Sequence, residues 1–236
     1  MPIKIVDVDD TTSWPAELVG FIEEQSETAD LESNPFMSAE DEILLSLLDS
    51  MHLLVYHATR LLPHEEIDIR TSGLQILTKE LITKKIQSAV AGGFLEKNIG
   101  SELLADSTLW SDPRAHRADQ ICFVLGKTPF EREDPGLCPL FSIWGGESIN
   151  FTKVGSKYKS LLRKIGEPAV IKAVLPLTRQ AILHAHPGFS ASFIKVFRNE
   201  PDASDVFWKN KSIPGSCIID IVRPEEMVAS GNGNQL

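Results

Sequence analysis

Cysteine is scarce in this chain of 236 residues. The three present, Cys122, Cys138 and Cys217, are odd in number and far apart. That excludes a disulfide framework and a paired metal knuckle, and it suits a reducing compartment. Tyrosine is scarcer, with Tyr56 and Tyr158 alone. No apolar run approaches the ~18 residues needed to span a bilayer. The first thirty residues lack a basic start followed by an apolar stretch, so no secretory signal is expected and a cytoplasmic location is. Neither G-x-G-x-x-G nor a Walker lysine loop occurs, which leaves a Rossmann or P-loop nucleotide site without support. The G-x-S-x-G elbow of α/β-hydrolases is missing as well.

Acid is plentiful, and it is unevenly placed. Lys and Arg number 23 against 33 Asp and Glu, a net charge of −10. Residues 1–50 hold 13 of the acids and one base, Lys4, for −12; the remainder is +2, and within it 151–211 is +7. A uniformly acidic protein would argue against phosphate-bearing partners. A near-neutral body with a basic flank does not.

The periodicities predict a short strand at 3–8 and a helix over 14–32, with Trp14, Leu18, Phe21 and Ile22 on one face and Glu23, Glu24 and Glu27 opposite. A second helix starts at Ser38, with Ile43, Leu44, Leu47, Leu48 and Met51 at helical spacing. These two form an acidic arm over residues 1–52. A buried strand is expected at 53–57, and a helix from Pro63 to Gly73 with acid in its first turn. Further helices are expected at 79–91, 102–108 and 157–165, and a loop at 128–139. Strands are expected at 120–127, 169–175, 193–198, 206–209 and 217–222. Helices early and strands late make an α+β domain over 53–228, followed by a loose tail at 229–236.

The run Val55-Tyr56-His57-Ala58-Thr59-Arg60 ends an apolar strand with polar groups. Alternation puts His57 and Thr59 on one face and Tyr56 and Ala58 on the other. A His beside a hydroxyl suits a polar ligand such as a ribose, although a satisfied core histidine is the simpler account. Taken with the helix that follows and Ser72-Gly73-Leu74, the segment resembles the first catalytic segment of ADP-ribosyltransferases, in the branch of diphtheria toxin and the poly(ADP-ribose) polymerases. The likeness covers roughly twenty residues.

That resemblance implies an ADP-ribosyltransferase-like split β-sheet core with flanking helices, and NAD as substrate without a metal. It implies that His57 bonds the adenosine ribose, with Tyr56, Thr59 and Arg60 lining the same cleft. The family also has a second-strand Tyr that stacks on nicotinamide. The strand at 120–127 offers Phe123 instead, which keeps the stacking face without the hydroxyl, and Trp144 is the alternative. The family's late-strand Glu, which stabilises the cationic sugar, corresponds by position to Asp205. Glu147, in Trp144-Gly145-Gly146-Glu147-Ser148, is the competing carboxylate. The acceptor would be a macromolecule, protein or nucleic acid. An intracellular toxin, defence protein or effector of this kind suits an inhibitory or chaperone protein partner. The rival readings are a catalytically degenerate NAD- or nucleotide-binding module, and a regulatory interaction protein acting through its acidic arm.

Two further groups stand out. His184 and His186 share a face if they lie on a strand, but solvated loop histidines before Pro187-Gly188 are the simpler reading. Lys153, Lys157, Lys159, Arg163 and Lys164 place five cations in twelve residues. A solvated helix face is the first account. The alternatives are contact with phosphates, of nucleic acid or of NAD, and pairing with the −12 arm.

Overall fold

The computed structural model describes residues 4–31, 38–107, 118–131, 138–150, 152–177, 184–186, 188–200, 205–209 and 211–231. Its centre is β2 (His52–Leu61), longer than the predicted 53–57. Along one edge β2 pairs antiparallel with β4 (Glu167–Pro176) over ten residues, from His52 opposite Pro176 to Leu61 opposite Glu167. Its other edge is shared. β1 (Ile5–Val6) runs parallel to its first two residues, and β3 (Gln120–Val124) pairs antiparallel at Tyr56 opposite Val124. β5 (His184–His186), β6 (Asp205–Lys209) and β7 (Ile218–Val222) complete a seven-stranded mixed sheet in the order β5-β6-β3-β2-β4-β7, with β1 off this path. The histidines expected in a loop are therefore the strand β5, paired with β6.

Period-two alternation divides the residues of β2 between two faces. Leu53 and Val55 join a core with Phe123, Ile171 and Ala173, while Tyr56 and Ala58 pack behind the sheet with Val124, Val170 and Met227. The first face is covered at one end by α1 (Ala16–Thr28) and α2 (Ser38–Leu47), through Leu18, Ile22, Leu44 and Leu48. A third helix, Phe189–Phe197, completes this cover through Phe189, Phe193 and Ile194. The strand expected at 193–198 is thus a helix. Its aromatic and β-branched residues imitate a strand, yet Phe189, Phe193 and Phe197 recur every four positions and meet the core on one side.

The acidic N-terminal segment is sewn into the body by its polar groups too. Asp41 Oδ1 accepts from the Ser190 N–H at 2.7 Å and the Ser190 hydroxyl at 2.6 Å, at the start of the Phe189–Phe197 helix. Reciprocally, Arg198 Nη2 donates to the Ser26 carbonyl at 2.6 Å and to the Ala29 carbonyl at 3.0 Å, at the end of α1. Each side chain satisfies orphan groups of the other helix and opposes its dipole.

The other end of the same face is covered by α3 (Pro63–Ser72) and α4 (Lys79–Ala91). α5 (Lys97–Asp106) starts earlier than the predicted 102. The predicted helix at 157–165 is two short ones, Lys153–Lys157 and Lys159–Leu162, broken at Tyr158. These helices share a second core built on Ile82, Ile86, Ile99, Trp144, Ile149 and Leu162. Thr128–Glu131 is one helical turn where a loop was expected, and the chain closes with Pro224–Gly231. Among the described residues no helix is long and apolar enough to cross a membrane.

Gly73 stops α3 at φ +84, where a Cβ would stand 1.8 Å from the Ile213 carbonyl oxygen. The close approach lets Leu74 bridge to Ile213, whose N–H donates to the Leu74 carbonyl at 2.8 Å. Gly73→Ala is therefore expected to cost about 2 kcal/mol or more in urea unfolding. Asp41→Ala is expected to cost about 1 kcal/mol in the same measurement, the usual loss for a helix cap.

Candidate functional site

Beyond Val55, this face of β2 turns polar. Between it and α3 and α4 lies a cavity of about 710 Å³. Its floor is His57 and Thr59 of β2 with Cys122 and Phe123 of β3; its walls come from α3, the segment after Gly73, α4 and the glycines Gly145 and Gly146.

His57 is held in one state. Its Nδ1 lies 2.8 Å from the Cys122 carbonyl oxygen. A carbonyl only accepts, so Nδ1 bears the proton and donates it. Burial lowers the pKa of the ring, the Cys122 carbonyl opposes this, and the Lys85 charge adds to the lowering; the net shift is downward. His57 is accordingly neutral at pH 7, with Nε2 left as an acceptor. Phe123 meets it edge-on, the ring centroids 5.9 Å apart.

The wall opposite is organised by Glu65, in the first turn of α3. It is 7% exposed. Oε2 accepts from the Leu62 N–H at 2.8 Å and from Trp144 Nε1 at 2.9 Å, and Oε1 pairs with Lys85 Nζ at 3.0 Å. Lys85 in turn stands 5.7 Å over the Trp144 ring. One carboxylate thus joins the end of β2, α3, α4 and the loop at 144–146. Burial raises its pKa; Lys85, the Leu62 N–H and Trp144 more than offset this, and the net value is lowered. At the rim, the Ser88 hydroxyl and His64 Nε2 lie 2.8 Å apart.

Three of the residues singled out in the sequence come together here: His57, Thr59 and Phe123. Tyr56 is fully buried behind the sheet, edge-on to Phe130 at 5.9 Å. Arg60 points elsewhere: its Nε donates to the Ile165 carbonyl at 2.7 Å and Nη1 to the Phe141 carbonyl at 2.9 Å, tying β2 to the turn at Ile165 and to the short helix Cys138–Ser142. Trp144 has no exposed surface and stands behind the wall, holding Glu65. The side chains of Glu147 and Asp205 lie outside the described residues. In the backbone, Glu147 starts a short helix, Glu147–Asn150, between Gly146 and Ser148, both of which line the cavity. Asp205 stands opposite Val124 on β6, in the register row of Tyr56, whereas Val206 is in the row of Phe123.

Sequence reasoning passed over Glu65 and Lys85. Glu65 looks like an ordinary first-turn acid, and its partner Trp144 is 79 residues away. The one local signal is its place three residues after Leu62, where a Glu closes back on the preceding N–H. No protein-family model, curated protein or solved structure matches this chain.

Glu65→Gln is expected to cost about 2 kcal/mol at pH 7, since it leaves Lys85 without its buried partner. A carboxylate with a lowered folded pKa stabilises above its unfolded value and loses that contribution as the pH falls through the folded one. The gap between wild type and variant in urea unfolding therefore narrows below the ordinary glutamate value of 4.5.

Proposed function

We propose that the chain is an NAD-dependent ADP-ribosyltransferase. The observation that carries this reading is the meeting of His57, Thr59 and Phe123 in one cavity of about 710 Å³, within the size range of small-molecule and cofactor sites. The strand order adds support. The strand of His57, the strand of Phe123 and the strand of Asp205 are neighbours, β2, β3 and β6. The helix that closes on Gly73 follows the His57 strand directly.

On this reading the neutral His57 accepts a hydrogen bond from a ribose hydroxyl through Nε2. Phe123, which lines the cavity as Trp144 does not, is the ring set against nicotinamide, and it is reached only through the small part of its edge left uncovered. Of the two carboxylates we assign the developing sugar cation to Glu147, because its chain neighbours Gly146 and Ser148 line the cavity, whereas Asp205 is in the register row of Tyr56. In the reaction the C1″–N bond of NAD breaks and its electron pair leaves with nicotinamide. A nucleophilic atom of the acceptor bonds to C1″, and its proton passes to solvent.

Labelled NAD with cell extract tests the proposal. Transfer of label by wild type, with at least a tenfold loss in His57→Ala and in Glu147→Gln, is the expected result. NAD binding without transfer would favour a degenerate module, an outcome consistent with Phe123 in place of tyrosine. Absence of NAD binding by calorimetry would overturn both.

A further inference from the structure

The cavity wall at 144–149 is built on the two basic helices. The Trp144 N–H donates to the Leu162 carbonyl at 3.3 Å, and Thr152 Oγ donates to the Ile149 carbonyl at 2.8 Å. Leu162, Val154 and Tyr158 share the core of Trp144 and Ile149. The outer side of these helices presents Lys153, Lys157, Lys159, Arg163 and Lys164, all exposed. Lys157 is neutralised by Glu102 at 2.6 Å. The neighbouring acid of α5, Asp106, is spent on the Val154 N–H at 2.8 Å. Among the described residues, Lys153, Lys159, Arg163 and Lys164 have no carboxylate partner. The acidic N-terminal segment is engaged with the Phe189–Phe197 helix instead.

Exposed lysines usually mark only a solvated face. Here four exposed cations without a carboxylate partner among the described residues lie on and just after two consecutive short helices that back the cavity wall, in a protein whose net charge is −10. They fall within twelve residues of chain and suit a closely spaced row of anions. A nucleic acid offers such a row of anions whatever its sequence, whereas a protein segment rarely does. We infer that Lys153, Lys159, Arg163 and Lys164 form a docking surface for the phosphate backbone of a nucleic acid, which presents itself to the cavity as the ADP-ribose acceptor. The inference rests on the transferase reading for its chemical step. There the C1″–N bond of NAD breaks and nicotinamide departs with the electron pair, while C1″ bonds either to a nucleobase nitrogen or oxygen, which gives its proton to solvent, or to an already ionised terminal phosphate oxygen.

The full chain is titrated with a fluorescein-labelled single-stranded 20-nucleotide DNA and the matching RNA, in parallel with NAD. Neutralising four phosphate contacts gives a log–log salt slope on the order of −3, so binding weakens roughly 50-fold between 50 and 200 mM salt. The variant K159E/R163E/K164E is expected to bind the oligonucleotide at least tenfold more weakly, with unchanged NAD affinity and melting temperature. Label from NAD should appear on the oligonucleotide with wild type and not with the variant. Weak salt dependence, undiminished binding by the variant, or label found on protein alone would each overturn the inference. NAD binding with no oligonucleotide binding would overturn the inference and leave the transferase reading standing. Oligonucleotide binding with no NAD binding would overturn that reading, and the acceptor role with it.

Discussion

Every part of this molecule answers to the alternation of β2. The strand is fixed along one edge by ten paired residues of β4, and β1 and β3 divide the other edge. A side-chain period of two leaves no freedom in which residues face forward. Leu53 and Val55 must be covered, and helices cover them. His57 and Thr59 follow on the same face, and there α3 and α4 leave a space above the sheet. The cavity is thus the unfilled part of a face whose other half is solid core.

Keeping that space open requires rigid walls, and Glu65 supplies the connection. A carboxylate this deep is tolerable because its three neighbours return what desolvation costs. It therefore acts as a geometric device: α3, α4 and the Gly145–Gly146 loop cannot shift independently while they share one ion. The two glycines of that loop have positive φ, +99 and +65, a conformation that a fixed anchor such as the neighbouring Trp144 helps to hold. The neutrality of His57 belongs to the same arrangement, since Lys85, which pairs with Glu65, also contributes to the lowering of the His57 pKa.

The legible parts of the fold were those governed by short-range rules. The faces of His57 and Tyr56 followed from parity, and the stop at Gly73 from helix termination. The stretch 193–198 reads as a strand because aromatic and β-branched residues favour strands, and only the fit of the Phe189–Phe197 helix against α1 and α2 reveals the other period. Arg60 and Trp144 looked like ligand-binding residues, but each serves the framework through partners far along the chain: Ile165 and Phe141 for one, Glu65 for the other. The charge asymmetry was plain in the sequence. Where the acidic segment would dock was not, because its apolar and polar partners sit on a helix about 150 residues further along the chain.

Those contacts have a consequence in time. Asp41 and Ser190 are 149 residues apart, and Ser26 and Arg198 are 172 apart. At ribosomal rates of about 5–20 residues per second, the apolar faces of α1 and α2 wait for roughly 10–30 s before the helix that completes their cover has been synthesised. During that interval their acidic faces, which bear most of the −12, would keep nascent chains apart by mutual repulsion.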